Sequence, residues 1–323
     1  MPNEPLGRAR FYSLDYISGV GSTRFEGISF PAHVIEHNYE THRDEIVPVF
    51  TSLHGPYVDE NKLFNGSEIL VSLLNLYLKI NTPDYSLNIS EAVRGWCDDY
   101  FYPYHMDELS IVARENTIID PDVVDHLKRV CTFEVDRFLE DLGNLGTTYE
   151  LYDALQRVRY SGDVEAGRNM YAESRVWENL PFLERYKSEN DKDFVKGVFS
   201  DYDELMDKVV ERFPDLSLRL RMNENSGKLE LGADVKSVFD IAWHAFARVA
   251  SDVEVPDDFE VTDDYVPRQY YSTAVRSCLA CGNYFVREHN RQKYCLKPEC
   301  QRIRNNRKSR AAYQRKKAKQ NLT

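Results

Sequence analysis

Four of the six cysteines of this 323-residue chain lie close together near its C-terminal end, at Cys278, Cys281, Cys295 and Cys300. Their spacing, C-x2-C-x13-C-x4-C, is typical of a tetrahedral zinc site with four thiolate ligands. Four thiolates leave no open coordination position for water, so the pattern predicts one structural zinc ion rather than a catalytic one. Because so short a segment has little apolar core, we expect it to unfold without the metal.

The residues between the cysteines predict a treble-clef finger. Gly282 follows the first cysteine pair and allows the tight turn of a zinc knuckle. The letters NYFV, REHNRQ and KYC that follow are expected to form a strand, a polar turn and a second strand of a hairpin. Cys300 is then expected in the first turn of a helix.

Residues 301–320 carry nine Lys or Arg and no acidic residue. Good helix formers and the absence of Gly and Pro predict a helix. Its few apolar residues form no continuous stripe, so the helix should project into solvent. The residues expected to contact nucleic acid are Arg302, Arg304, Arg307, Lys308, Arg310, Arg315, Lys316 and Lys317. Asn305 and Asn306 are candidates for reading adenine or are ordinary surface residues.

The charge of the chain is divided between its two ends. The formal net charge is −12, but residues 271–323 alone sum to +12 and the other 270 residues to −24. The alternative is that the charged tail is simply solvated. Two features favour an anionic partner instead: the zinc site would fix the start of the helix rigidly, and the other 270 residues carry a net charge of opposite sign. We therefore expect nucleic acid as the partner. A membrane surface is disfavoured because no apolar anchor accompanies the charge.

The C-terminal residues resemble a known family of zinc fingers. Cys278-x-x-Cys281-Gly-x-Tyr-Phe, then the run 291–295 ending in Tyr294-Cys295, and Cys300 leading into a basic helix are similar to the CGNR-type finger of bacterial regulators with an ABATE-type N-terminal domain. Tyr294 stands where that family has Trp, the first cysteine pair is more closely spaced, and the Gly-Asn step after the last cysteine is missing. The resemblance implies that the partner is DNA in preference to RNA, and that the protein acts in transcription regulation.

The rest of the chain predicts an α+β fold, with a mostly helical N-terminal domain and short antiparallel strands. Expected strands include RFYSLDYI, RFEGISF and EIVPVFTSL, and LSLRLRM with KLEL is expected to form a hairpin. Expected helices are SEILVSLLNLYLKI, a segment capped by Ser90, residues 120–142 ending at Gly143, then TYELYDALQRVRY, DYDELMDKVVERF and ADVKSVFDIAWHAFARVA.

An acidic segment separates two predicted domains. Residues 1–251 form the N-terminal sensor or interaction domain, 252–272 the linker and 273–323 the finger with its helix. The linker carries Asp257, Asp258, Glu260, Asp263 and Asp264. By hypothesis these acids dock the basic helix and lower its DNA affinity until an effector displaces them.

One motif suggests catalysis. His33, Glu36 and His37 match H-x-x-E-H, which on a helix supplies two metal ligands and a general base in some metalloproteases. No third acidic ligand can be identified, and the chain has neither a phosphate loop nor a nucleophile elbow. We therefore expect that the protein is not an enzyme.

The sequence as a whole predicts a cytoplasmic bacterial transcriptional regulator. No secretory signal or transmembrane run is found, and clustered cysteines in an otherwise cysteine-poor chain suit a reducing compartment. The N-terminal domain is expected to sense a small molecule or a protein effector. The alternative is a finger that grips a protein or RNA partner, with the N-terminal domain carrying the main function.

Overall fold

The computed structural model describes residues 24–50, 57–83, 86–104, 121–161, 197, 202–214, 218–222, 229–233, 237–251, 275–288 and 292–320. Within these ranges the strands are β1 (Arg24–Ser29), β2 (Ala32–Asn38), β3 (Arg43–Val49), β4 (Tyr57–Asn65), β5 (Phe133–Glu134), β6 (Leu218–Met222), β7 (Leu229–Ala233), β8 (Val275–Ser277) and β9 (Tyr284–Val286). The helices are α1 (Gly66–Asn81), α2 (Ile89–Asp99), α3 (Pro121–Cys131), α4 (Val135–Ser161), α5 (Tyr202–Val210), α6 (Val238–Ser251) and α7 (Pro298–Gln320). The fold is α+β and mostly helical, as the sequence predicts.

All strand pairs in the described residues are antiparallel. β1 pairs with β4, β3 lies between β2 and β5, β6 pairs with β7, and β8 pairs with β9. Three predicted strand regions are confirmed, because β1, β3 and the β6–β7 hairpin coincide with them. The strand β4 was not predicted from the sequence. The expected strand RFYSLDYI lies outside the described residues.

Helix α1 is the centre of the core and packs against α2, α4, α6 and β9. Its apolar positions Leu70, Leu73 and Leu74 are fully buried, which accounts for the nearly continuous apolar run in the sequence. Asn65 caps the helix: its side chain accepts the Glu68 N–H at 2.9 Å, and the Glu68 carboxylate accepts the Asn65 N–H at 2.8 Å. This reciprocal pair fixes where the helix begins.

The predicted helix boundaries need two kinds of correction. Asn88, rather than Ser90, caps α2, with its side chain accepting the Glu91 N–H at 3.1 Å. Residues 120–142 do not form one helix, because α3 ends at Cys131 and α4 begins at Val135. Gly143 does not end a helix either, since α4 continues through it to Ser161 and absorbs the next predicted helix.

A long-range strand pairing explains the break between α3 and α4. Phe133 lies opposite Ile46 of β3, and both side chains are buried in the core. Beside this pair, Arg43 contacts the carboxylates of Glu134 and Asp136. The short strand therefore ties the start of α4 to the β2–β3 hairpin.

Helix α6 confirms the helix predicted for ADVKSVFDIAWHAFARVA, but it begins at Val238, after the first residues of that segment. Ser237 caps it: the Ser237 Oγ accepts the Asp240 N–H at 3.2 Å, and Asp240 Oδ2 accepts the Ser237 N–H at 3.1 Å. α5 likewise lies within the predicted segment that stops before Pro214. Among the described residues, every helix is too short or too polar to span a bilayer.

Candidate metal centre and basic helix

The four clustered cysteines converge on one point. The Sγ atoms of Cys278, Cys281, Cys295 and Cys300 all lie within 4.8 Å of one another, and those of Cys281 and Cys295 are 3.8 Å apart. Cys281 is exposed, whereas the other three are buried. The four thiols therefore form a closed donor set that could hold a metal ion.

A tight turn positions the first two cysteines of the cluster. The Gly282 N–H donates to the Cys278 carbonyl oxygen at 2.9 Å, and the Cys278 N–H donates to the Asn283 carbonyl oxygen at 2.8 Å. Gly282 has φ of +74°, a left-handed conformation that residues with a Cβ rarely adopt. The glycine expected after the cysteine pair is thus required by the turn.

Backbone amides surround the Cys278 sulfur. The N–H groups of Cys295 and Ala280 lie 3.3 Å and 3.5 Å from its Sγ. Burial opposes ionisation of Cys278, but these amides outweigh it and lower the pKa of the thiol to about 6. In Cys295 and Cys300, burial raises the thiol pKa above its usual value. The surroundings of the Cys278 sulfur therefore favour its thiolate form.

The hairpin of the finger differs from the one predicted. The strand expected from NYFV is β9, but it pairs with β8 upstream of Cys278 and not with residues 293–295. Those residues approach the knuckle instead, where the Lys293 carbonyl oxygen accepts the Leu279 N–H at 3.1 Å. The side chain of the buried Gln292 accepts the Glu288 N–H at 2.8 Å. This bond connects the end of β9 to the residues just before Cys295.

The finger is docked on the N-terminal part of the chain through β8 and β9. The Asn75 side chain of α1 makes two hydrogen bonds with the backbone of Tyr284. The Tyr149 hydroxyl donates to the Val275 carbonyl oxygen at 3.3 Å, and its ring meets the edge of the Tyr284 ring at 5.2 Å. Val275 and Tyr284 are buried in the same core as α1, α4 and α6. No sequence signal indicated Asn75 or Tyr149 as partners of the finger.

Helix α7 begins inside the cysteine cluster. Pro298 occupies its first turn, where a missing N–H costs nothing, and Cys300 follows in the same turn. Gln301 donates to the Cys295 carbonyl oxygen at 2.7 Å, and Arg304 donates to the Gln301 side chain at 2.9 Å. The Cys300 placement predicted from the sequence is confirmed.

The predicted nucleic-acid residues lie along α7 beyond this anchor. Arg302, Arg307, Lys308 and Arg310 are exposed, as are Asn305 and Asn306, while Arg304 is half-buried. Arg307 donates to the Tyr294 hydroxyl at 3.0 Å. Arg315, Lys316 and Lys317 belong to the helix, but their side chains are outside the described set.

The alternative catalytic motif does not form the helix that it requires. His33, Glu36 and His37 belong to strand β2, where His33 and His37 share one face and Glu36 lies on the other. The buried His33 ring contacts Asp98 at 2.7 Å, whereas His37 contacts Asp44 at 3.0 Å. In the described part of the chain, the four cysteines are the one group arranged to hold a metal ion.

Comparisons with known proteins place the chain in no family. No family model, curated protein or solved structure matches it. The resemblance to CGNR-type fingers therefore remains a prediction from the residues that carry it. The acidic segment and its docking hypothesis fall on residues 252–272, outside the described residues.

Proposed function

We propose that the protein is a zinc-dependent DNA-binding protein, in which a four-cysteine finger of the treble-clef type aims α7 at duplex DNA. The observation that carries the proposal is the position of Cys300, which anchors the first turn of a 23-residue helix bearing nine Lys or Arg. Zinc would hold the base of the helix, and the exposed cations beyond it would contact phosphates.

The sulfur positions support zinc as the metal. A Zn–S bond of about 2.3 Å in a tetrahedron puts neighbouring sulfurs about 3.8 Å apart. The Sγ atoms of Cys281 and Cys295 have this separation, and the full set stays within 4.8 Å. A donor set of four thiolates suits zinc better than magnesium or calcium, which prefer oxygen ligands. When bound, the ion supplies a rigid cross-link between the knuckle and α7.

The shape of α7 supports duplex DNA over duplex RNA. At 1.5 Å per residue, its 23 residues extend for about 34 Å. The major groove of B-form DNA, about 12 Å wide, admits an α-helix, whereas that of A-form RNA is too deep and narrow for side chains to read. A helix that carries cations on more than one side is suited to the wider groove, where phosphates lie on both sides.

The regulatory role is part of the proposal. A bacterial transcriptional regulator in the cytoplasm would use the part of the chain before β8 to sense an effector, and the docking of β8 and β9 on α1 and α4 offers a route to the finger. The second candidate is a protein- or RNA-interaction module. It is favoured by Leu279 and Leu296, apolar side chains exposed on the finger itself.

The test is a binding titration with the whole zinc-loaded chain, because Val275 and Tyr284 of the finger are buried against the rest of the protein. Fluorescence anisotropy on duplex DNA, duplex RNA and single-stranded RNA is recorded across a salt series of about 50 to 300 mM. Five or six phosphate contacts give a log–log slope of about −5 on duplex DNA. Failure to bind duplex DNA at the lowest salt contradicts the proposal, and tighter binding to RNA favours the second candidate.

Two charge-matched variants give the control. Lys308→Ala with Arg310→Ala removes two cations from α7 and should weaken DNA binding and reduce the slope by about 2. Lys79→Ala with Arg129→Ala removes two exposed cations elsewhere and should leave both unchanged. Equal effects of the two pairs would mean that overall charge, and not α7, determines binding.

A further inference from the structure

The side of α7 that faces the finger can be identified from its contacts. Cys300 is buried in the cysteine cluster, Arg304 bonds to Gln301, and Arg307 bonds to Tyr294. At about 100° per residue, Cys300, Arg304 and Arg307 lie on one side of the helix. The opposite side therefore points away from the finger and is open to a partner.

That opposite side carries one continuous line of polar side chains, which we call the outer stripe: Arg302, Asn306, Ser309 and Tyr313. Their spacing of four, three and four residues keeps them on one face of the helix. All four are exposed, and Tyr313 is exposed to 69%. Apart from Arg302, the four side chains of the stripe are uncharged.

Cations flank the outer stripe on both sides. At about 100° per residue, Arg310 lies to one side of it, and Lys308 lies farther round the helix on the other side. A helix lying in a major groove has base edges below its centre and a phosphate backbone beyond each flank. The sequence of α7 matches this arrangement, with side chains that can read bases in the middle and cations toward both edges.

We infer that the outer stripe reads base sequence in the major groove, with Asn306 and Arg302 as its main specificity-determining residues. This inference rests on the proposed DNA binding. The Asn306 amide can donate to N7 and accept from N6 of adenine, and the Arg302 guanidinium can donate to O6 and N7 of guanine. The Arg302 and Asn306 Cα atoms are separated by about 6 Å along the helix, which corresponds to about two base pairs. The recognised site therefore contains a guanine and an adenine about two base pairs apart.

The neighbouring Asn305 provides a matched control. It has the same side chain as Asn306, is also exposed, and lies about 100° away around the helix, toward the Lys308 flank. Asn305→Ala and Asn306→Ala thus remove the same chemical group from the same helix. If the two variants differ in base preference, the difference shows which face of the helix meets the bases. It cannot come from helix stability, because both variants make the same change to the same helix.

The experiment is selection of bound sequences from a random duplex library by the whole zinc-loaded chain, repeated with each variant. The wild type should select a short site with the guanine–adenine spacing given above. Asn306→Ala should lose discrimination at the adenine by about tenfold while keeping the salt slope, and Asn305→Ala should keep the wild-type preference. Lys308→Ala should bind all sequences more weakly with the same preference.

The possible outcomes separate this inference from the proposed function. Binding with a steep salt slope but no selected sequence overturns the inference and leaves DNA binding intact. A selected sequence that Asn306→Ala retains, or that Asn305→Ala loses equally, also overturns it. If the wild type binds no duplex DNA, the proposed function and the inference fail together.

Discussion

The Asn75 side chain brackets the backbone of Tyr284: its Oδ1 accepts the Tyr284 N–H at 2.8 Å, and its Nδ2 donates to the Tyr284 carbonyl oxygen at 3.1 Å. One residue of α1 thus satisfies both backbone groups of a residue in β9, 209 positions further along the chain. The finger is consequently held by specific polar contacts as well as by the shared apolar core.

Replacing Asn75 should loosen this attachment. Asn75→Ala leaves the N–H and C=O of the buried Tyr284 without these partners, and we expect a loss of about 2 kcal/mol in the free energy of unfolding. Urea titration followed by circular dichroism measures it. Lys79→Ala, an exposed change on the same helix, should alter stability by less than about 0.5 kcal/mol. Equal stability of the two variants would contradict a structural role for the Asn75 contacts.

Metal removal should destabilise the whole chain and not the finger alone. β8 and β9 contribute Val275 and Tyr284 to the main core, so loss of the metal cross-link exposes a part of that core. At free zinc about 100 times the dissociation constant, bound metal stabilises the folded state by about 2.7 kcal/mol. We expect a chelator to lower the midpoint of thermal unfolding of the part of the chain before β8. The signal of its aromatic side chains monitors this unfolding.

Two cysteine variants provide the control for metal removal. Cys300→Ser should reduce the metal content from one ion per chain toward none, because it removes one of four ligands. Cys97→Ala changes a buried thiol in α2 and should lower stability while leaving one ion bound. Metal content that is the same in both variants would show that Cys300 is not a ligand.

Two glycines of α4 should respond in opposite ways to the same substitution. A Cβ on Gly146 would overlap the ring of Tyr77 in α1, so Gly146→Ala should cost about 1–3 kcal/mol. A Cβ on Gly143 meets nothing, so Gly143→Ala should stabilise the helix by up to about 1 kcal/mol. Unfolding titrations of both variants check the prediction, and destabilisation of equal size would contradict the close approach of α1 and α4.

Asp141 should make stability depend on pH. Burial raises the pKa of its carboxyl, although the Tyr104 hydroxyl, which donates to it at 2.9 Å, and Arg137 oppose the shift. A raised pKa means that the carboxyl contributes most to stability when protonated, and that this contribution is lost as the pH rises through the folded-state value. Asp141→Asn should therefore stabilise the protein at about pH 7 by less than about 1 kcal/mol.

The comparison at low pH tests the cause of that effect. At about pH 3 the aspartate is mostly protonated in both states, so Asp141→Asn and the wild type should unfold at nearly the same urea concentration. Glu140→Gln removes the charge of an exposed neighbour and should show a smaller difference between neutral and acidic pH. A stabilisation by Asp141→Asn that persists in acid would point to packing instead of charge.

The sequence predicts the parts of this fold that local rules govern. The apolar run of α1, the amphipathic pattern of α6 and the alternation of β6 are short-range signals, and the cysteine spacing is another. The end of α3 depends on Phe133 pairing with Ile46, 87 positions away, and the strand partner of β9 is upstream of the knuckle. Such pairings are determined by the folded core, and no local residue pattern encodes them.

The acidic segment connects two elements that are both held by the core. It follows α6, which packs against α1 and ends at Ser251. It precedes β8, which pairs with β9 and whose Val275 accepts a hydrogen bond from Tyr149 of α4. The covalent connection is therefore redundant for holding the finger in place. A chain cut once by a protease between Ser251 and Val275 should still elute from a gel-filtration column as one particle, and should separate into two fragments only in denaturant.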